Sequence, residues 1–302
     1  MDRLEAMAIL VAAVETGSLS GAGRRLGVPL PTISRKVSDL EAHLNTRLLV
    51  RTTRKLTLTE AGADYVAACR RILDEVEAAE RRATGEYVTP KGELAITAPV
   101  VFGRTTLLPV IDAFLAKYPE IDVRLALSDR RTHLIEEHID LAVRVGQLED
   151  SGLVAVRLGQ VRHVVCGSPA FFASHGAPKT PADLATLPCV TFDVLGSTET
   201  WRFTPAGQGQ RLVPVRSRLA VNTAEVAIDA AIAGVGVTRV LSYQVAQAVA
   251  DGRLQVVLGA FEAEPFPVHL VHAGQGILPL KTRAFLDLAA PMLRKALAAK
   301  VD

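Results

Sequence analysis

Cysteine is scarce in this chain of 302 residues: Cys69, Cys166 and Cys189, with no Cys-x-x-Cys spacing. So odd and sparse a set argues against a disulfide scaffold and suits a reducing cytoplasm. Cys166 and Cys189 each lie in an apolar, strand-like run, which favours buried structural thiols over a redox pair. Long apolar runs are missing too. Nothing reaches the roughly 18 apolar residues of a membrane span, and the nearest stretch, 228–240, is broken by Asp229 and Arg239. Residues 6–14 imitate a signal-peptide core, but Glu5 and Glu15 bracket them and no clear small-residue cleavage site follows. Catalytic signatures are equally thin. Gly207-Gln208-Gly209 and Gly234-Val235-Gly236 lack the final glycine of a dinucleotide fingerprint, and no phosphate-binding loop or nucleophile elbow occurs. His269 and His272, three apart on an expected strand, would point to opposite faces, and Asp129-Arg130-Arg131 reads as a helix start. No metal, no cofactor and no enzymatic activity are therefore expected.

Net charge is also nearly absent, +2 from 34 Lys and Arg against 32 Asp and Glu, yet it is unevenly spread. Residues 1–58 hold nine basic and five acidic side chains, a net +4; residues 59–88 hold four against seven, a net −3; the remainder is +1. A positive excess confined to the first fifth is what a segment meeting phosphates would carry. The length exceeds one ordinary core and suits two or three domains.

Residues 17–58 are the most informative stretch. Leu4, Met7, Ala8, Val11 and Val14 follow helical spacing, and Gly17 suits the position past a helix end. Ser20 is the expected N-cap of a second helix, with Ala22 and Leu26 facing inward and Gly27 at the turn. A third helix is expected to start near Pro31. Its Ile33, Val37, Leu40 and Leu44 make one buried stripe, leaving Thr32, Ser34, Arg35 and Ser38 on a polar face suited to a major groove. Arg51, Arg54 and Lys55 lie around the turn between two short strands, where a basic wing would grip backbone or minor groove. Spacing alone leaves open an ordinary helix pair with solvated Arg and Lys.

Residues 4–62 resemble the N-terminal domain of LysR-type transcriptional regulators. The matching pieces are Gly17-Ser18-Leu19-Ser20, Arg25-Leu26-Gly27-Val28, Ile33-Ser34-Arg35, Leu40-Glu41, Leu44-Asn45-Thr46-Arg47-Leu48 and the run from Arg51 through Thr59-Glu60-Ala61-Gly62. The resemblance implies DNA contacts from the start of the third helix and from the wing. It thereby implicates Leu30, Pro31, Ser34, Arg35, Arg51 and Arg54, with Ser20, Thr32, Ser38 and Lys55 completing the candidate set. Pro29-Leu30 departs from the usual Ser-Gln, removing a cap and a Gln contact, and Leu30 could instead touch a thymine methyl. Gly21 and Gly23 stand where Ala is favoured, each costing up to about 1 kcal/mol of helix propensity.

From residue 59 to about 86 there is no Pro, and Ala61, Tyr65, Ala68, Ile72, Val76, Ala79 and Ala83 recur three and four apart. That predicts a helix of roughly 40 Å with one narrow apolar seam, suited to pairing with a second copy. Pro90 and Gly92 end it. Strands are then expected at 94–98, 123–127 and 141–145 with helices at 105–117 and 131–137, an order that implies a parallel sheet covered on both faces. A second unit runs through strands at 161–166, 189–192, 219–221 and 235–239 and a helix at 224–233. The chain returns at 268–272 and closes with a helix at 280–297. Crossings near 159–163 and 265–268 would form a two-strand hinge, as in type 2 periplasmic binding proteins and the LysR-type effector domain. Residues 131–146 and 230–237 resemble that domain closely. A ligand between the lobes would meet Ala98, Pro99, Val100, Val101 and Ser128 on one side. On the other, Asn222 and Thr223 open a helix whose free N–H groups could hold a carboxylate or carbonyl. Phe192, Trp201 and Phe203 offer either an aromatic wall or plain packing.

The expected fold is α/β with an N-terminal all-α winged helix-turn-helix. Residues 1–58 form the DNA-binding domain, 59–90 the linker and dimerisation helix, and 91–302 an effector domain of two Rossmann-like lobes (91–161 with 268–302, and 162–267). The expected protein is a cytoplasmic, sequence-specific regulator modulated by a small-molecule effector. It would bind double-stranded DNA at a partly palindromic promoter site as a homotetramer, a dimer of dimers, with RNA polymerase a further partner and no membrane. The competing expectation is a two-lobed small-molecule-binding or enzymatic protein without specific DNA binding.

Overall fold

The computed structural model describes residues 2–51, 56–83, 89–130, 134, 137, 139–148, 152–192, 200–204, 209–274 and 278–298. They fall into two compact units, Met1–Gly92 with Pro279–Lys281, and Glu93–Leu278 with Thr282–Asp302.

The first unit holds helices α1 (Arg3–Glu15), α2 (Leu19–Leu26) and α3 (Leu30–Leu44), a hairpin of β1 (Leu49–Arg51) and β2 (Leu56–Leu58), and helix α4 (Glu60–Ala83). Asp2 caps α1, its carboxylate accepting from the Leu4 N–H at 3.0 Å. Ser18, not the expected Ser20, caps α2 by accepting from the Gly21 N–H at 3.0 Å; Ser18 has the extended backbone a cap needs. Pro29 stands at the cap of α3 with no side-chain bond to offer, and Pro31 fits the first turn, where its missing N–H costs nothing. Gly27 and Asn45 end α2 and α3 in the left-handed conformation. Ile9, Leu10, Ala22, Ile33, Val37, Leu40, Leu48, Leu49 and Val66 share one core.

Gly21 and Gly23 prove to be more than weakened helix positions. A Cβ on Gly23 would lie 2.8 Å from the Val28 carbonyl oxygen, and one on Gly21 2.7 Å from the Thr16 side chain. Glycine is what lets α2 close onto its flanking turns. Gly23→Ala is therefore expected to destabilise by about 1–2 kcal/mol, against the gain of about 1 kcal/mol that propensity alone predicts. Urea unfolding of the two proteins decides the sign.

The second unit opens with β3 (Gly92–Ala98) and α5 (Val100–Phe102). The latter runs through a π-helical turn, Gly103–Leu107, into α6 (Leu108–Lys117). There follow β4 (Ile121–Leu127), β5 (Leu141–Val145), β6 (Leu153–Val161), β7 (His163–Gly167), α7 (Pro169–His175), β8 (Pro188–Phe192), β9 (Thr200–Phe203) and β10 (Arg211–Pro214). The chain continues through β11 (Arg216–Val221), α8 (Ala224–Ile232), β12 (Val237–Leu241), α9 (Ser242–Ala250), β13 (Gln255–Val257), β14 (Phe266–Ala273) and α10 (Leu280–Ala298). Two five-stranded sheets result, ordered β4-β3-β5-β14-β6 and β11-β8-β12-β7-β13, with β9 and β10 a separate hairpin. Neither sheet is the parallel one expected. β3 is parallel to β5, and β8 to β11 and β12, but β14 is antiparallel to β5 and β6, and β12 to β7. The antiparallel members are the crossing strands. β6 passes to β7 through Arg162, and β14 comes back beside it with Phe266 opposite Val161; a chain that leaves and re-enters a lobe has to run both ways. The helix expected at 105–117 begins instead at Val100, where Pro99 turns the chain out of β3. The helix expected at 131–137 falls largely outside the described residues.

One apolar core joins Leu94, Phe102, Phe114, Leu141, Phe285 and Leu293 to Val164, Cys166, Ile228, Val240 and Tyr243. A second, on the other face of the lobe II sheet, gathers Val165, Phe171, Phe172, Cys189, Trp201, Phe203 and Val237. Cys166 and Cys189 thus face opposite sides, and burial pushes both thiols up to about 12. Thiols held neutral in this way are inert packing groups. Among the described residues no single helix is long and apolar enough to cross a membrane.

Candidate nucleic-acid interface and effector cleft

Helix α3 buries Ile33, Val37 and Leu40 and turns Leu30, Pro31, Arg35 and Ser38 outward, with Thr32 and Ser34 half-buried beside them. Leu30 is 47 % exposed, so an apolar side chain stands free at the very start of the helix. The neighbouring cations are tied within the unit: Lys36 pairs with Glu5, and Arg25 with Glu15 at 2.6 Å. Arg35 has no such partner among the described residues, which leaves its guanidinium fork for an outside acceptor. Ser20 is exposed on α2, its hydroxyl 3.4 Å from that of Ser18. The backbone of Arg51 lies in β1; its side chain, and Arg54 and Lys55 altogether, lie outside the described residues.

The end of α3 is braced against the hairpin. The Glu41 carboxylate accepts from the N–H groups of Leu48 and Leu49 at 2.8 and 3.0 Å. The Thr59 hydroxyl donates to the Arg47 carbonyl at 2.8 Å and accepts from the Gly62 N–H at 2.9 Å, which also caps α4. These bonds tie the end of α3, the described strands of the hairpin and the start of α4 to one another.

In the second unit, the strand ends and helix starts face each other across the lobes. Ser128 follows β4, its N–H donating to the Ala98 carbonyl at 3.0 Å. Thr223 caps α8, accepting from the Val226 N–H at 3.5 Å. Arg104, just past α5, reaches Glu225 in the first turn of α8 at 3.0 Å. Arg104 is 63 % and Glu225 32 % exposed, so the pair contributes at most about 1 kcal/mol. It marks where the lobes meet without holding them shut. Ala98 and Val101 are each 2 % exposed and belong to the core, so their side chains are withdrawn from the cleft. Pro99, Val100, Ser128 and Asn222 are half-buried or exposed there.

Residues 4–63 match the bacterial regulatory helix-turn-helix model of the lysR family, and residues 89–294 match the LysR substrate binding domain. The chain belongs to the LysR-type transcriptional regulators. An HTH-type transcriptional repressor of Pseudomonas aeruginosa is 34 % identical over 290 residues, 95 % of this chain and 91 % of that protein. The transcriptional activator AaeR of Escherichia coli is 32 % identical over 287 residues, 95 % and 93 % of the two chains. Among solved structures, CrgA, a LysR-type transcriptional regulator from Neisseria meningitidis, superposes with a TM-score of 0.62 at 32 % identity and covers 96 % of this chain and 98 % of its own. The Vibrio cholerae virulence activator AphB gives 0.60 at 28 % identity, with 95 % and 98 % covered.

Several residues of this LysR-type regulator sit differently from expectation. Asp129, read as a helix start, caps α5 from the end of β4, its carboxylate accepting from the Val100 N–H at 3.1 Å. Trp201 and Phe203 are packing residues: they lie in the core beside Val237, on the sheet face away from α8, because the hairpin β9–β10 folds over it. Phe192 packs on the opposite core. No group of three metal ligands occurs among the described residues. Arg104, Asp129 and Glu225 were missed as cleft residues. Only Asp129, two residues past a strand end, carried a local signal.

Proposed function

We propose that this LysR-type regulator reads a partly palindromic promoter site with Leu30, Pro31, Thr32, Ser34, Arg35 and Ser38 of α3. Ser20 and the wing residues Arg51, Arg54 and Lys55 hold the backbone beside them. The single observation behind this is the exposed Arg35, without an ion-pair partner among the described residues, on a helix braced by Glu41 and Thr59. Two copies pair through the outer seam of α4: Ile72 is 38 % exposed and Ala61 and Ala79 are exposed, whereas Val66 and Cys69 turn inward. A second kind of contact between effector domains makes the tetramer. In functional terms the segments are 1–58, 59–90 and 91–302. The protein acts in the cytoplasm, with RNA polymerase as a further partner, and performs no catalysis.

The effector sits between the lobes, against Pro99, Val100 and Ser128 on one side and Asn222 and Thr223 on the other, with Ala98 and Val101 lending backbone alone. It regulates by binding one lobe arrangement better than another, which shifts the placement of the DNA-binding pairs. Replacing Arg35 tests the DNA half. Arg35→Ala is expected to weaken operator binding about 10- to 100-fold, as loss of a bidentate base contact would. Its elution on size exclusion should match the parent's. Unchanged operator affinity in gel-shift titration would remove Arg35 from the interface.

A further inference from the structure

Helix α3 continues beyond its reading residues. Arg35, Ser38, Ala42 and Asn45 follow one another three and four apart, so they share one face, and all four are exposed. Asn45 takes the left-handed conformation, with φ 49°, and its N–H donates to the Ala42 carbonyl at 3.2 Å. The chain thereby doubles back beside the helix. Between the last turns of α3 and this returning stretch lies an open groove of about 460 Å³, lined by Ser38, Glu41, Ala42, Asn45, Thr46 and Arg47.

The lining suits an anion. Arg47 is exposed and has no carboxylate among the described residues, unlike Lys36 and Arg25. Its backbone is fixed on both sides of one peptide. The Arg47 carbonyl accepts from the Thr59 hydroxyl at 2.8 Å, and the Leu48 N–H donates to the Glu41 carboxylate at 2.8 Å. That same Glu41 oxygen also takes the Leu49 N–H at 3.0 Å, so the carboxylate in the lining is already engaged by the hairpin. The side-chain amide of Asn45 has no hydrogen-bond partner among the described residues and offers a further donor.

Helix geometry says which anion. At 1.5 Å per residue, Ala42 lies about 10 Å beyond Arg35 along the axis. The major groove of DNA is about 12 Å wide. A helix that sets Arg35 on a base edge has therefore left the bases by Ala42 and met the phosphates of the groove wall.

We propose that Arg47, with the Asn45 amide beside it, holds a backbone phosphate of the bound DNA in this groove. The inference rests on α3 being the reading helix. It gives the two arginines different work: Arg35 discriminates between sequences, whereas Arg47 adds equal affinity for any duplex and fixes how α3 sits in the groove.

Gel-shift titration of the full-length protein over a range of salt concentrations tests this. The probes are the intergenic DNA upstream of its own gene and a scrambled duplex of equal length. Arg47→Gln should weaken binding to both by the same factor, about five- to tenfold for each bound subunit. It should also flatten the plot of log K against log salt by about one unit of slope per subunit, a slope that Arg47→Lys keeps. Arg35→Ala should instead compress the ratio between the duplexes. Ala42→Glu, at an exposed position in a helix that accepts glutamate, should weaken both duplexes together by repelling the same phosphate. It decides the matter if Arg47→Gln fails to fold. Unchanged affinity in either variant, or loss on the upstream DNA alone, would overturn the contact. A parent that binds both duplexes equally would contradict the reading role of α3, and the slope of Arg47→Gln would still report the phosphate.

Discussion

Gly62→Ala is expected to cost the DNA-binding unit about 3 kcal/mol and to abolish operator binding at working temperature. A Cβ at Gly62 would lie 2.0 Å from the Leu48 carbonyl oxygen and 2.8 Å from its carbon. Both are backbone atoms that cannot swing aside. The Leu48 carbonyl already accepts from the Thr59 N–H at 3.0 Å, and the Leu48 N–H is held by Glu41 at 2.8 Å. Gly62 lies in the first turn of α4, where propensity alone would reward alanine with about 1 kcal/mol. Steric overlap with a pinned carbonyl is the larger effect, so the sign reverses. Urea unfolding followed by circular dichroism measures it. A variant as stable as the parent would mean that α4 does not approach the hairpin this closely.

Acid should weaken the effector unit through His163. Burial, and then the charge of Arg239, lower its pKa from 6.5 to about 3 in the folded protein. As pH falls below about 6.5 the unfolded chain takes up a proton that the folded one refuses until about pH 3. Stability from this group is therefore complete above about pH 6.5 and drains away toward pH 3. Between about pH 7 and about pH 4.5 the loss should come to about 2–3 kcal/mol. His163→Phe, which keeps a ring against Phe266, should flatten the unfolding free energy over that interval relative to the parent. Parallel curves would show that His163 is hydrated and titrates near its ordinary value.

These two residues also show what could and could not be read beforehand. The stripe of Ile33, Val37 and Leu40 settled α3, since helical spacing is a local property, and β5 came out at Leu141–Val145 because polar Asp140 and Gly146 punctuate it. Ser18 and Ser20 are both good caps two residues apart, and the choice rests on backbone dihedrals that composition does not encode. Helix α9 went unseen because Ser242 follows β12 directly, with no glycine or proline to separate two apolar stretches. The parallel sheets were mistaken because strand direction depends on where the chain re-enters a lobe, and β14 re-enters from far along the sequence. At the sites the same division holds. The outward face of α3 follows from periodicity, whereas the approach of Arg104 to Glu225 is made only by tertiary folding. Gly62 belonged to a recognisable motif, but nothing in the string of residues showed that a carbonyl would lie where its side chain would be.

Footprinting of the purified protein on the intergenic DNA upstream of its own gene, titrated against salt beside a scrambled duplex of equal length, asks most directly whether the braced, basic first unit reads sequence. The outcome anticipated here is a protected, partly palindromic stretch, bound well above the scrambled duplex and lost steeply as salt rises. Equal affinity for both duplexes at every salt concentration would contradict it.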